Sequence, residues 1–562
     1  ADRAQQFLIR EPGDHDHHQK GERGGDAKRG RHPVAGRTFE QHQRGQRDDA
    51  DQRQRQQHAH ARLSQGQPGK TGTFGHGGSD SADALLLPAW PWAMIVVAMT
   101  DARRRQDAVD RARAHAPFLA RLVEVHGGDV MRFLDDGAER ALATLMPDAA
   151  LSAFVPCPEL QSRRRKEVAD IAVTLRHWRG RHALLTALGD LAGEHDVAAT
   201  CRHLSDFADA ACDMALAAAI EERTPGEVPR GIALIALGKQ GSRELNYSSD
   251  IDPILIFDPA TFPRRARDDA GEAAVRVGRR MVEILSARTA DGHVLRVDLR
   301  LRPHPEVTPI VLPVDAAISY YESQALPWEQ AAFIRSRVAA GDRMLGARFL
   351  NAIQPFIWRK SLDYRQLGEI GSMTDRIRDH YAGGQDFGPG YDLKRGRGGI
   401  REIEFFAQVH QLIYGGREVA LRAPATCDAL AALSAAGRID GEVAARMTAH
   451  YAVLRRIEHR LQMVEDQQTH SLPRAAAALD TVARLDGLAD GAALLTMLTP
   501  VVADVASVYD RLVAQRGQAA GWPVDADGLA AAIAATGFAP VEAAAAQWDV
   551  SRAAQCRRAR CP

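Results

Sequence analysis

From about residue 100 to residue 520, apolar side chains recur at three- and four-residue spacing through long Ala/Leu/Arg segments, which predicts a chain built mainly of amphipathic helices. Asp101–Leu122 and Arg163–Leu191 are the clearest of these. One interval follows another rule. Gly231–Pro259 and His293–Pro303 contain short continuous or alternating apolar runs of β type. Ile232–Leu237 suits a strand buried on both faces, and Ile251, Ile254 and Ile256 depart from strict alternation, which predicts two-sided burial for the next strand. In Arg296–Arg302 polar residues take every even position and apolar residues every odd one. That predicts a strand with one buried face and a second presenting Arg296, Asp298, Arg300 and Arg302. The fold class expected is α+β, predominantly α-helical, with a small mixed sheet set among helices.

The two ends of the 562-residue chain look different. Residues 1–80 are rich in Gln, Arg, His, Gly and Asp and nearly devoid of aliphatic residues, too polar to offset their ordering entropy. Residues 1–95 are therefore expected to be a disordered tail that reads as translated upstream sequence, with Met94 or Met99 as a start. His15, His17 and His18 read as a solvated tract within it. The apolar run at 84–98 falls short of the roughly 20 residues a membrane helix needs, and Pro88 and Pro91 interrupt it. No basic segment precedes it as in a signal peptide, so no membrane association is expected. The expected division is a helical region at 96–225, a sheet-bearing core at 226–345, a helical bundle at 346–520 and a truncated linker with a ragged end at 521–562.

Charge narrows the function classes. Lys+Arg and Asp+Glu both number 72, so there is no global basic field for nucleic acid. Six cysteines without regular spacing form neither a disulfide framework nor a CxxC metal site, which fits a reducing, cytoplasmic setting.

The chemistry concentrates in the β-rich interval. Asp250 and Asp252, two apart on a strand, project from one face. Adjacent carboxylates repel unless a cation neutralises them, and oxygen donors of this kind suit Mg²⁺ or Mn²⁺. Asp298, flanked by arginines on the neighbouring strand, supplies a third carboxylate beside groups able to hold phosphate. Three carboxylates on two strands can hold two ions about 4 Å apart, the clamp used in phosphoryl and nucleotidyl transfer. Taken alone, the Asp pair reads as a solvated strand end and the arginine face as a surface strand laced with ion pairs. Together, behind a Gly-Ser loop, they point to a site. Pro253, directly after the pair, lacks a ladder donor and is expected to weaken the strand that presents Asp252.

Two later segments carry alternatives. Lys394, Arg395, Arg397 and Arg401 surround Gly396, Gly398 and Gly399 just before a helix, either a phosphate-binding loop or a flexible connector with solvated charges. Glu402 and Glu404 could meet the same site or pair with those arginines. A helix over about Ala444–Gln467 has an apolar face of Met447, Leu454, Ile457, Leu461 and Val464; its other face, Arg455, Arg456, Glu458, His459 and Arg460, is of a kind usually solvated. Trp328 reads as core and Arg335 as a phosphate contact.

The strings GKQGSRELNYSSDID (238–252), RVDLRLRP (296–303) and WEQAAFIRSRVAAGD (328–342) resemble the nucleotidyltransferase domain of the glutamine synthetase adenylyltransferase/adenylyl-removing enzyme family. LKRGRGGIREIEFFAQ (393–408) and LRRIEHRLQMVEDQQTHSLP (454–473) resemble the helical domain that follows it, and the resemblance covers about residues 100–520. It implies a polymerase β-like mixed sheet flanked by helical domains. NYSSDID and GRGGIREIEF resemble the half that removes AMP from a tyrosine of glutamine synthetase by phosphorolysis, releasing ADP. The alternatives are adenylylation from ATP, or a catalytically dead nucleotide-sensing module. The resemblance implies Mg²⁺ (or Mn²⁺) on Asp250, Asp252 and Asp298. Gly241, Ser242, Arg300, Arg302, Lys394, Arg397 and Arg401 become candidates for nucleotide or phosphate, and Arg456, Glu458 and His459 become a wall of the cleft. Implied partners are glutamine synthetase as protein substrate, ATP or ADP, inorganic phosphate and a PII-type signalling protein, with glutamine as a control signal and no nucleic acid. Two spellings depart from the family: Gln240 and Ser242 stand in its GKLGG, and Pro253 replaces an apolar residue.

Overall fold

A computed structural model describes residues 90–145, 161–360 and 386–519. The expectations for residues 1–89 and 520–562, the histidine tract included, lie outside the described residues. Trp90–Ile95, assigned above to the tail, form the first turns of helix α1 (Trp90–His115).

The helix expected over Asp101–Leu122 is in fact two. Pro117 has no N–H to donate and its ring would clash with the carbonyl four residues back, so α1 stops at His115 and α2 (Pro117–Val125) begins with proline at its first position. Then follow α3 (Gly127–Asp136), α4 (Ala138–Ala143), α5 (Gln161–Ala192) and α6 (Val197–Arg223), the last capped by Asp196, which accepts from the Ala199 N–H at 2.7 Å.

Five strands come next. β1 (Ile232–Leu237) and β2 (Asp250–Phe257) are antiparallel, with Leu237 opposite Asp252. After α7 (Ala270–Ser286), β3 (Arg296–Val297) runs parallel to the start of β2 and β4 (Val311–Pro313) parallel to its end. Helices α8 (Val314–Ser323) and α9 (Pro327–Ile334) lead to β5 (Arg337–Gly341), antiparallel to β1 on its far side. The order is β3-β2-β1-β5, with β4 also on β2.

The strand expected over residues 296–302 is thus cut to two residues. Asp298 still donates its N–H to the Ile251 carbonyl at 2.9 Å, but its carboxylate then accepts the Arg300 N–H at 2.9 Å and turns the chain. The fold ends with α10 (Arg343–Ala352), α11 (Ile400–Tyr414), α12 (Thr426–Ala435), α13 (Gly441–Glu465), α14 (Ala476–Leu485) and α15 (Gly491–Ala519).

The sheet separates two apolar cores, which explains why β1 is apolar throughout. Ile232, Leu234 and Ala236 pack with the early helices and α7, whereas Ala233, Ile235 and Leu237 pack with the later ones. β2 divides likewise: Ile251 and Leu255 face the first core, Ile254 and Ile256 the second, as the broken alternation predicts. Asp250 and Asp252 share parity with Ile254 and therefore the face turned to the later helices.

Pro253 sits in this central strand without breaking it. Odd-numbered residues of β2 direct their backbone groups to the β3/β4 edge, as the Ile251 carbonyl shows. On that edge β3 pairs only as far as Ile251, and β4 begins at Leu255. The missing N–H falls in the gap between them, so the proline interrupts neither ladder on that edge.

Among the described residues, one stretch, Gly491–Leu512 in α15, is long and apolar enough to cross a membrane. Leu494, Leu498, Val501, Val505 and Tyr509 on it pack into the second core.

Candidate functional site

β1 ends level with Asp252 and passes into a single helical turn, Gly238–Gly241. Gly238 has φ +57°, and a Cβ there would stand 2.9 Å from Asp252 Oδ2. Only glycine lets the turn lie against that carboxylate. Asp250, one residue pair further out, accepts from Arg296 Nε at 2.7 Å and from Gln468 Nε2 at 3.2 Å. Asp298 holds Arg300 in a bidentate pair, with Nε 2.8 Å from Oδ2. The hydrogen bond to Asp298 raises the Arg300 pKa against its burial, and Asp252 and Asp250 add to the rise. Arg300 therefore stands within the field of all three carboxylates. The predicted triad is brought together at one end of the sheet.

Lys239, in the same turn, is a cation that the sequence reading passed over. Its Nζ is 3.0 Å from Glu458 Oε1, which also meets His470 Nδ1 at 2.8 Å. Burial pushes the ammonium pKa down; Glu458 opposes that, while Arg455 and Lys394 reinforce it. The Lys394 charge is thus felt at Lys239. Its segment is tied to the strip carrying Gln468 and His470, for Leu393 donates its N–H to the His470 carbonyl at 2.8 Å.

Other predicted residues lie elsewhere or are occupied. A Cβ on Gly241 would collide with the Arg335 carbonyl, so this glycine answers to backbone packing. The Ser242 hydroxyl donates to the Gly238 carbonyl at 3.2 Å, within the turn. Arg302 gives its guanidinium to the carbonyls of Leu299 at 2.7 Å and Pro305 at 2.5 Å. Arg397 pairs with Asp510 of α15 at 2.5 Å, and Arg401 leans on the Phe405 ring at 6.0 Å. Arg335, expected at phosphate, is buried on Glu404 (3.0 Å) and Thr426 (2.9 Å). Glu404 thereby pairs with an arginine, while Glu402 accepts the Gly398 N–H at 2.9 Å. Trp328 is partly buried against the second core.

The polar face of α13 is the largest correction. Arg455, Glu458 and His459 have no exposed surface, and Arg460 is 3% exposed. They form a buried polar layer against the sheet's approach loop. Arg455 donates to the Glu244 carbonyl (2.7 Å), Tyr451 Oη (2.6 Å) and Asn246 Oδ1. His459 meets Asp190 at 3.3 Å, and Arg460 meets it at 2.9 Å. Gln462 accepts the Ser248 N–H at 2.9 Å, and the Asp466 carbonyl accepts the Ser248 hydroxyl at 2.8 Å. The loop delivering Asp250 is therefore clamped by a helix more than 200 residues away. Arg456, by contrast, is partly exposed and pairs with Asp486 at 3.2 Å.

Sequence reasoning missed Lys239, Gln468 and His470 as members of the site. Lys239 was visible in the Gly-Lys-Gln-Gly turn; Gln468 and His470 carry no local signal.

Comparison with known proteins covers the same regions. A family model for glutamate-ammonia ligase adenylyltransferase matches residues 110–352, which hold the sheet and all three carboxylates. A model for GlnD PII-uridylyltransferase matches residues 372–513, which hold the basic loop and α13. Proteins named bifunctional glutamine synthetase adenylyltransferase/adenylyl-removing enzyme are similar to the chain. That of Caulobacter vibrioides is 42% identical over 66% of this chain and 38% of its own length. That of Xanthobacter autotrophicus is 40% identical over 70% and 40%, and that of Rhizobium meliloti 39% over 73% and 41%. The chain spans about two fifths of the length of the curated relatives it matches. With the carboxylate-bearing sheet inside the first matched region and the helices that clamp it inside the second, residues 110–352 form a domain of the glutamate-ammonia ligase adenylyltransferase family.

Proposed function

We propose that the chain removes AMP from an adenylylated tyrosine of glutamine synthetase by phosphorolysis. The observation that carries this reading is the convergence of Asp250, Asp252 and Asp298 beside the Gly238 turn, with Arg300 among them. The spellings NYSSDID and GRGGIREIEF support removal over addition.

The donor set fits a divalent cation. Three carboxylates gather at one end of the sheet, and an all-oxygen set matches Mg²⁺ or Mn²⁺ better than zinc. Asp250, Asp252 and Asp298 would hold the metal, which when bound neutralises charge on the transferring phosphoryl group and polarises its P–O bond.

The chain's own residues do the rest by positioning. Arg300 and Lys394 draw the attacking phosphate toward the carboxylates, and Lys239 faces the same approach. An oxygen of inorganic phosphate forms the new bond to the phosphorus of adenylyl-tyrosine. The bond from phosphorus to the tyrosine oxygen breaks, the phenolate takes a proton, and the products are ADP and unmodified tyrosine. A cytoplasmic setting and control by a PII-type protein and glutamine belong to the same proposal.

The test follows ADP release from adenylylated glutamine synthetase with Mg²⁺, with and without phosphate, in wild type and Asp250→Asn. Phosphate-dependent ADP that disappears in the variant is the expected result. Label incorporated from ATP into unmodified glutamine synthetase, with pyrophosphate as the leaving group and without ADP release, would establish adenylylation instead. Neither activity from folded protein would make the chain a non-catalytic module.

A further inference from the structure

Remote in sequence from the carboxylate triad, three other metal-ligating side chains meet in the early helices. Glu139 on α4 places Oε1 2.9 Å from Nε2 of His203, on α6, and 3.3 Å from Nε2 of His195, in the connection between α5 and α6. The three ligand atoms all lie within 4.8 Å of one another. The His195 side chain is 1% exposed, and neither of its ring nitrogens has a hydrogen-bond partner. Its Nδ1 is pressed against Gly189, where a Cβ would come within 2.6 Å, so the ring is seated by a glycine. His203 lies beside it, with ring centroids 4.7 Å apart.

A buried imidazole whose nitrogens make no well-formed hydrogen bond is costly, because the 3.3 Å approach to Glu139 returns little of the water it has lost. Its Nε2 nevertheless points to the one spot where a carboxylate oxygen and a second imidazole nitrogen also converge. We propose that Glu139, His195 and His203 form a zinc-class metal site that shares no residue with the triad. Two imidazole nitrogens and one carboxylate oxygen are borderline donors that suit Zn²⁺, whereas Mg²⁺ and Ca²⁺ favour oxygen alone. Metal–ligand bonds of about 2.0–2.1 Å in a tetrahedron set ligand atoms about 3.3 Å apart, close to the two spacings from Glu139. Glu139 is largely exposed and leaves the fourth position to water. The ion would staple α4, the α5–α6 connection and α6 together.

The test uses the full chain, stripped with a chelator and dialysed against Zn²⁺, as wild type, Glu139→Gln and His203→Gln. Metal content and melting temperature are both read. Any zinc taken up by the histidines at 15, 17 and 18 is common to all three proteins, so the difference is what counts. Wild type should retain about one zinc more per chain than either variant, and zinc should raise its melting temperature alone. Because Glu139 is exposed, its variant keeps the fold and provides the deciding comparison. Equal zinc content in wild type and Glu139→Gln, or an unchanged wild-type melting temperature on adding zinc, overturns the proposal.

Discussion

Replacing Glu458 by Gln tests the buried polar layer most directly. The carboxylate has no exposed surface and stands 3.0 Å from Lys239 Nζ, 2.8 Å from His470 Nδ1 and 3.1 Å from Arg455 Nε. The amide keeps the volume but removes the charge, leaving two cations without this counter-ion. Arg455 retains Tyr451, Asn246 and the Glu244 carbonyl; Lys239 has Glu458 as its only described ion-pair partner. Breaking a buried pair on one side costs about 3–5 kcal/mol. The lower part of that range is expected here, because Lys239 can shed its proton, a change its burial already favours. Urea unfolding followed by tryptophan fluorescence measures the loss. Arg456→Gln on the same helix, whose side chain is 39% exposed, should cost less than about 1 kcal/mol. Adding Lys239→Met to Glu458→Gln should recover part of the loss, since no orphaned ammonium then remains. If Glu458→Gln costs no more than Arg456→Gln, that face of α13 is solvated and the clamp on the Asp250 loop is not electrostatic.

Three further outcomes follow from the geometry. Gly238→Ala puts a Cβ at φ +57°, worth about 1–2 kcal/mol, and 2.9 Å from Asp252 Oδ2. ADP release should therefore fall further than the stability loss explains, and normal turnover would show that the turn does not position Asp252. Pro253→Ala adds an N–H facing the gap between β3 and β4, so the unfolding free energy from urea titration should change by no more than about 1 kcal/mol; a larger loss would mean that proline stiffens β2. Stability should also fall in two stages on acidification. His182 and His293 are held neutral by burial, with pKa values pushed down to about 3 and about 4. The unfolded chain takes up their protons first, so stability is lost as pH falls from 6.5 toward those values. Glu458 and Glu404 are buried, but their cationic partners outweigh burial and hold their pKa values down. Their contribution, complete above about pH 4.5, is lost below it. Unfolding free energy measured from pH 7.5 to 3.5 should show both limbs, and a flat profile from 6.5 to 4.5 would refute the first.

Local pattern by itself determined a good deal of this protein. The run Ile232–Leu237 could only be a strand buried on both faces, and the Asp-x-Asp spacing set both carboxylates on one face of β2. Long motifs carried the family and the order of its regions. Period and spacing are local quantities, and these features depend on nothing further away. Tertiary structure decided the rest. Whether Pro253 harms β2 depends on where two other strands stop, and whether Arg397 or Lys394 turns toward the triad depends on how residues 390–400 lie against α15 and the His470 strip. The charges of α13 read as a solvated face, yet they are buried, because the partners that make such burial tolerable are Lys239, Glu244 and Asp190, some 200 residues or more earlier. A charge can leave water only where an opposite charge or a hydrogen-bond partner waits, and no pattern along one helix reveals what another segment brings to meet it.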